Sequence, residues 1–185
     1  NYSNAKYYAQ LALNLEPNLG EANAIVGRMK ATLDNNYIEA DKLFKKAFKA
    51  NPENANINLW YSSFLRRSNK IDSAKIMIDN ALKLNPLSAY VNAEAGVFYS
   101  AYIHDLELGY FYMNKAFELD PFYVDGNKNY IFAEILESLF KWEKSEEIRL
   151  RAFKSDSENF ATLWGLGFYY LAIQNLEQSK FYIDK

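Results

Sequence analysis

The chain has 185 residues, half of them hydrophobic and 17% aromatic, so it has ample material for a folded core and does not resemble a disordered tail. Its 21 basic and 23 acidic residues give a net charge of -2, which argues against direct binding to nucleic acid. The absence of cysteine excludes disulfides, thiolate metal ligands and cysteine nucleophiles, and leaves cytoplasm and periplasm equally compatible with the chain.

Helical periodicity predicts an all-α chain, with turn residues between the helices and no segment that alternates as a strand does. The longest unbroken apolar stretch lies near 165–173 and is about half as long as a membrane span. We therefore expect no membrane contact within this chain. The predicted helices are 2–15, 20–33, 37–50, 55–68, 71–84, 89–102, 106–119, 123–138, 142–155, 159–173 and 176–185.

The four prolines are regularly spaced. Their separations along the chain are 35, 34 and 35 residues, and an alanine stands five residues before each one. Proline ends a helix because it cannot donate the next hydrogen bond, and a small residue lets another helix pack closely. A period near 34 residues predicts a stack of helical hairpins. The phased pairs are Ala12 and Pro17, Ala47 and Pro52, Ala81 and Pro86, and Ala116 and Pro121.

Within each period the sequence resembles the tetratricopeptide repeat (TPR) family, whose pattern is W-x-x-L-G-x-x-Y, then A-x-x-x-F, then P. The sixth period carries the best first helix, with Leu163, Leu166, Gly167 and Tyr170. The resemblance covers the whole chain and implies a right-handed TPR superhelix of antiparallel helix hairpins. It implies a single array over 1–185, in units of about 1–19 (partial), 20–54, 55–88, 89–123, 124–159 and 160–185 (partial).

The fifth unit departs from the pattern. Ser145, Arg149 and Ala152 occupy its small, large and small positions, and Ser157 stands where proline is expected. Neither end of the chain has the polar cap helix that repeat arrays need for solubility. We expect a fragment of a longer chain, and exposed ends of the array could also associate with another copy.

Asparagine occupies the first motif position in four units, where the family usually has a large apolar residue. One interpretation is a functional asparagine ladder. The other, which we favour, is local: a short polar side chain satisfies backbone N–H groups of the first turn or the preceding loop. The four residues are Asn23, Asn58, Asn92 and Asn127.

Few residues suit catalysis. His104 is the only histidine and falls in a predicted turn, so no histidine-based metal cluster can form. Gly165-Leu166-Gly167 lacks the strand and the further residues of a phosphate loop. We predict that the chain is not an enzyme and that it has no metal site and no cofactor.

The TPR resemblance implies binding residues on the first helices, which line a concave groove in that family. Aromatic and arginine side chains there are typical recognition anchors, although inter-repeat packing or solvated surface also explains them. We expect Arg66 and Lys128 to receive acidic groups of a partner. The predicted partner-binding residues are Arg28, Trp60, Ser63, Arg66, Val97, Lys128, Phe132, Trp164 and Phe168.

The predicted function is therefore protein–protein interaction, with a peptide or partner protein in the groove. The alternative is a small-molecule sensor domain with an aromatic pocket between repeats, which predicts a closed cavity of about 300–1,000 Å³. A chaperone carboxylate clamp is excluded, because Ala24, Trp60 and Glu94 stand at positions that it requires to be Lys, Asn and Arg. Residues 58–65 and 81–88 are also similar to TPR regions of bacterial winged-helix transcriptional activators and class III adenylate cyclases, which implies the regulatory part of a multidomain regulator.

Overall fold

The computed structural model describes residues 2–120 and 126–185, without the side chains of 2, 3, 126 and 127. These residues form eleven α-helices and no strand, which confirms the all-α prediction. The helices are α1 (Tyr2–Leu15), α2 (Gly20–Thr32), α3 (Tyr37–Ala50), α4 (Ala55–Arg67), α5 (Ile71–Leu84), α6 (Ala89–Phe98), α7 (Leu106–Leu119), α8 (Gly126–Ser138), α9 (Trp142–Ser155), α10 (Phe160–Ala172) and α11 (Leu176–Ile183).

One predicted helix is wrong in its second half. The α-helix predicted over 89–102 ends at Phe98, and a π-helical segment, Tyr99–Ile103, follows it. The chain from Pro86 to the turn residue His104 is one residue longer than the chain from Pro52 to Asn69, the equivalent turn residue. A π turn, with its i→i+5 hydrogen bonds, takes up such an extra residue within the helix. The predicted start of α8 at residue 123 lies outside the described residues.

The helices divide into two compact units, Asn1–Pro86 and Leu87–Lys185. In the first unit, α2 packs against α3 and α4 against α5. In the second, the pairs are α6 with α7, α8 with α9, and α10 with α11. The first helices of neighbouring hairpins also touch, as α8 and α10 do. The prediction of one continuous array over 1–185 stays a prediction.

Small residues allow the two helices of each hairpin to meet. The phased alanines Ala47, Ala81 and Ala116 are fully buried, as the spacing predicts. Where a serine takes such a position it also links the helices: the hydroxyl of Ser62 donates to the carbonyl of Ala74 (2.8 Å). These close contacts hold each pair of helices in register.

The recurring asparagines tie each first helix to the loop before it. The amide nitrogen of Asn58 donates to the carbonyls of Pro52 (2.8 Å) and Asn54 (2.9 Å), and that of Asn23 bonds in the same way to Pro17 and Leu19. The prediction of a local role in the loop is confirmed. The expectation that these side chains satisfy backbone N–H groups is wrong, because they act as donors. The side chain of Asn127 lies outside the described residues.

The turn inside each hairpin places one residue in the left-handed region. These residues recur at repeat spacing. The backbone N–H of the residue that follows each one bonds back to a carbonyl near the end of the preceding helix, as Lys70 does to Leu65 (2.9 Å). Positive φ favours glycine and tolerates asparagine, but it strains other residues. The five are Asn35, Asn69, His104, Phe140 and Gln174.

Phe140→Gly is expected to raise the free energy of unfolding by about 1 kcal/mol. Phe140 has φ of 57°, which costs a residue with Cβ roughly 1–2 kcal/mol, and its side chain is 81% exposed, so little packing is lost. Urea denaturation measures the change. Asn69→Gly is the matched control and should have a smaller effect, since asparagine already tolerates this conformation. A less stable Phe140→Gly variant would show that the exposed ring makes a stabilising contact.

Candidate functional site

Four of the predicted binding residues lie together in the first unit. Arg28 is exposed on α2, and its guanidinium lies 5.8 Å from the centre of the Trp60 ring on α4. Trp60, Ser63 and Arg66 are half-buried on α4, and Arg66 donates a long hydrogen bond of 3.4 Å to Ser63. The structure therefore places Arg28 beside Trp60 and Arg66 beside Ser63, and the role of these four residues in binding stays a prediction.

In the second unit, two predicted residues are engaged within the chain. Val97 is half-buried against the core around Phe132. The ammonium group of Lys128 lies 3.2 Å from the carboxylate of Glu94, and the Lys128 side chain is only 12% exposed. It also lies 5.4 Å from the centre of the Tyr90 ring. The expectation that Lys128 receives an acidic group of a partner is corrected, because an internal carboxylate already balances its charge.

The prediction that Phe132 binds a partner is wrong. Its side chain is fully buried, and its ring lies 5.0 Å from that of Phe117 and 6.2 Å from that of Tyr110. A residue without exposed surface cannot contact a partner unless the core opens. Phe132 is therefore a core residue and not a binding anchor.

Trp164 and Phe168 are exposed, as predicted for binding residues, and they continue a row of aromatic rings along α10. Phe160, Trp164 and Phe168 are 71%, 42% and 52% exposed. Successive ring centres lie 5.5 Å and 5.0 Å apart. A spacing of four residues places side chains on one face of a helix, so these three residues form a continuous aromatic strip.

The aromatic strip forms one wall of a cleft between α8 and α10. The cleft has a volume of about 690 Å³. Its opposite wall carries Tyr130, Glu134 and Glu137 of α8, and Arg149 of α9 also lines it. We call this the α8–α10 cleft. It combines an apolar surface with a few ionisable groups, which is typical of a binding site.

The charge of Arg149 is balanced inside the cleft. Its Nε donates to a carboxylate oxygen of Glu137 (2.8 Å), and the same oxygen accepts a hydrogen bond from Ser145 (2.6 Å). The guanidinium also lies 5.5 Å from the centre of the Tyr130 ring. A Cβ on Gly165 would stand 2.5 Å from Nη1 of Arg149, so the glycine leaves the space that this side chain occupies.

The pairing of Arg149 with Glu137 explains why the fifth unit can depart from the repeat pattern. Arg149 is 7% exposed, at the position where other units bury Phe44, Ile78 or Met113. A buried guanidinium is tolerated only when it is paired and hydrogen-bonded. Glu137 supplies that partner and Gly165 supplies the space.

Two tyrosines of the cleft are held in their neutral forms. A hydrogen bond to Glu134 and burial raise the pKa of Tyr130. Burial first, and nearby carboxylates second, raise the pKa of Tyr169 to about 12. Its protonated hydroxyl donates to the carbonyl of Trp142 (3.1 Å). At neutral pH these phenols are therefore hydrogen-bond donors and add no charge to the cleft.

A second, much smaller cavity of about 20 Å³ adjoins the cleft and shares Tyr130, Arg149 and Ala161 with it. Asn129 lines this cavity and is 3% exposed, and its Nδ2 has no hydrogen-bond partner among the described residues. The space holds about one water-sized group. The cavity is therefore large enough for one water molecule beside a residue with an unpaired buried amide group.

Reasoning from the sequence missed several residues of the cleft. The spacing of four between Phe160, Trp164 and Phe168 was a signal that one face carries all three rings. The pairing of Arg149 with Glu137 had a weaker signal, namely a charged residue at a core position of the motif. Tyr130 and Glu134 had none, because their contribution depends on α10 lying opposite them.

Two further features concern metal binding and membranes, within residues 2–120 and 126–185. No group of three histidine, aspartate or glutamate side chains there is arranged to hold a metal ion. None of the helices described is long and apolar enough to cross a membrane.

The chain is similar to known repeat proteins. Residues 31–95 match a family model described as tetratricopeptide repeat, whereas no curated protein matches the chain by sequence. The structure of PilF from Pseudomonas aeruginosa has a TM-score of 0.80 at 18% identity, covering 98% of this chain and 81% of that one. PilW, described as a type IV pilus biogenesis factor, has a TM-score of 0.78 at 18% identity, covering 89% and 74%.

A third similar structure is YrrB, described as a TPR protein with an unusual peptide-binding site. Its TM-score is 0.70 at 15% identity, with 95% of this chain and 89% of that one covered. At such low identities the likeness shows the fold alone. Together with the family match, it shows that residues 31–95 are tetratricopeptide repeats and that the chain has the tetratricopeptide-repeat fold.

Proposed function

We propose that the chain is a protein-interaction module and that the α8–α10 cleft binds an extended segment of a partner protein. The observation that carries this proposal is the aromatic strip, three large rings that lie side by side and half exposed in a recess. Contiguous exposed apolar surface of this kind marks an interaction site in soluble proteins.

The recess makes the strip suitable for recognition. A partner segment between the two walls would cover Trp164 on one side and Tyr130 on the other, and would exclude water from both. Large aromatic side chains in a desolvated pocket contribute most of the binding energy at protein interfaces.

The comparisons agree with this role. YrrB is described as having a peptide-binding site and PilW as a biogenesis factor, and neither description names a reaction. The finer proposal, that the chain is the regulatory part of a bacterial multidomain regulator, rests on the similarity of residues 58–65 and 81–88 to such proteins. Sequencing the flanking regions would test it.

The volume of the cleft also favours a second candidate, the small-molecule sensor. A volume of about 690 Å³ lies within the range of ligand pockets. Such pockets usually enclose most of the ligand, however, whereas the aromatic strip opens to solvent along its length. An open cleft suits a peptide better than a small molecule.

Trp164→Ala is expected to weaken peptide binding at least tenfold, because loss of a central aromatic anchor typically costs ~2 kcal/mol or more. Linear peptides would be selected from a random phage-displayed library on the immobilised chain. Their affinities for the variants would then be measured by fluorescence polarisation. The matched control is Phe111→Ala, which removes a ring that is 54% exposed on α7, away from the cleft.

The circular dichroism spectrum of each variant would establish that it remains folded. If Phe111→Ala abolished binding and Trp164→Ala did not, the interaction surface would lie on the second helices and the cleft would be the wrong site. If the library yielded no peptide while an aromatic small molecule raised the unfolding temperature, the sensor interpretation would replace this one.

A further inference from the structure

We propose that the α8–α10 cleft selects a positively charged segment, one with a lysine or arginine flanked by apolar residues. The inference deepens the proposed function, because it assigns the chemistry of the partner that the same cleft would bind. It rests on the charges that remain in the cleft after internal pairing, and on the faces of the aromatic strip.

The groups in the cleft lining that are charged at neutral pH are two carboxylates and one guanidinium. Arg149 is paired with Glu137, and the Arg149 side chain is only 8% exposed. Glu134 is exposed on the wall of the cleft that faces the aromatic strip. The charge that a ligand would meet is therefore negative. An acidic partner would face repulsion from Glu134, whereas a basic one would be attracted.

The aromatic strip points to the same chemistry. Elsewhere the chain places its own cations over aromatic rings of first helices: Arg28 lies 5.8 Å from the Trp60 ring centre and Arg149 lies 5.5 Å from that of Tyr130. Within the described residues, no lysine or arginine lies over Phe160, Trp164 or Phe168. The ring faces of the strip are therefore available to a cation from outside.

A lysine side chain matches both walls of the cleft. Its aliphatic stem can cover apolar surface while the ammonium group stays near a carboxylate. The face of tryptophan attracts cations more strongly than that of other aromatic residues. Trp164 on α10 and Glu134 on α8 would thus act on one side chain, and the flanking apolar residues of the peptide would lie along Phe160 and Phe168.

Three matched peptides test the preference: acetyl-Gly-Ala-Leu-Lys-Leu-Ala-Gly-amide and its counterparts with Gln or Glu in place of Lys. Each would be titrated into the isotope-labelled chain, and binding would be followed by nuclear magnetic resonance at the Trp164 indole and the α8 amides. We expect the Lys peptide to bind about tenfold more tightly than the Glu peptide, with the Gln peptide in between. This figure combines a cation–π contact with a partly exposed ion pair.

Two variants separate charge from packing. Glu134→Gln keeps the size of the side chain but removes its charge, and is expected to reduce the preference for Lys over Glu to about twofold or less. Trp164→Leu keeps an apolar side chain but removes the ring face, and is expected to reduce the preference for Lys over Gln. Glu177→Gln, at an exposed position on α11, is the control and should leave both ratios unchanged.

Each remaining outcome has a distinct meaning. Equal binding of the three peptides at the cleft would overturn the charge preference but leave the interaction function standing. Tighter binding of the Glu peptide would also overturn it, and would identify Arg149 as the recognition group. If no peptide shifted the cleft signals, this inference would fail, and the display experiment would decide the proposed function separately.

Discussion

Phe132→Ala is expected to lower the free energy of unfolding by about 3–5 kcal/mol, the usual cost of emptying a buried phenylalanine site. The Phe132 side chain has no exposed surface, and it packs within a cluster that joins Met113, Ile135 and Ile148. The rings that it contacts, Phe117 and Tyr110, both belong to α7, so a movement within α8 alone cannot close the cavity. Thermal and urea denaturation followed by circular dichroism measure the loss.

Phe168→Ala is the matched control, because Phe168 occupies the same motif position in the next unit. It is 52% exposed, so its removal should change stability by much less while weakening peptide binding. Equal losses of stability in the two variants would contradict the assignment of Phe132 to the core and Phe168 to the binding surface.

Arg149→Met is expected to lower the free energy of unfolding by about 3 kcal/mol. The substitution keeps a long side chain but leaves the Glu137 carboxylate without its cation, and a buried charge that loses its partner is strongly destabilising. The Glu137 side chain is 21% exposed, which places the effect at the lower end of the usual range. Urea denaturation of the chain measures it.

A double variant tests this reason. Adding Glu137→Gln to Arg149→Met removes the unpaired charge and keeps an oxygen that accepts the hydrogen bond from Ser145, so most of the lost stability should return. Lys45→Met removes a side chain that is 65% exposed from its pair with Asp41 (2.6 Å). It should cost far less, since solvent screens the lysine charge and Lys70 remains 3.9 Å from the same carboxylate. If Arg149→Met behaved like Lys45→Met, the Arg149–Glu137 pair would not stabilise the fold.

The hairpins were predictable because their signals are local. Proline ends a helix by its own covalent structure, and the four prolines stand two positions after the ends of α1, α3, α5 and α7. The other predicted boundaries that fall on described residues hold to within two residues, except at the end of α6. The buried alanines Ala47, Ala81 and Ala116 follow from the same spacing. The π turn at Tyr99–Ile103 was missed, because a single extra residue in a helical pattern does not reveal where the helix takes it up.

The site could be predicted only in part. Motif phase placed Ser63, Val97, Phe132 and Phe168 at one equivalent position, and the sequence treats them alike. Their environments differ in the structure: Phe132 is fully buried against Phe117 and Tyr110, and Phe168 is exposed. Burial depends on the side chains that neighbouring helices present, and these helices are distant in sequence.

By itself, the sequence determined the all-α fold class, the repeat period and the helix on which each candidate residue lies. Each of these follows from patterns along the chain and does not require knowing which helices pack together. Only the tertiary structure decided which of those residues are accessible and which charges remain unbalanced. The ammonium group of Lys128 pairs with the carboxylate of Glu94, which lies 34 positions earlier in the chain. The guanidinium of Arg149 pairs with Glu137 and occupies the space that Gly165 leaves open. Such contacts arise from packing between helices, and that packing leaves the aromatic strip, Tyr130 and Glu134 exposed in the cleft.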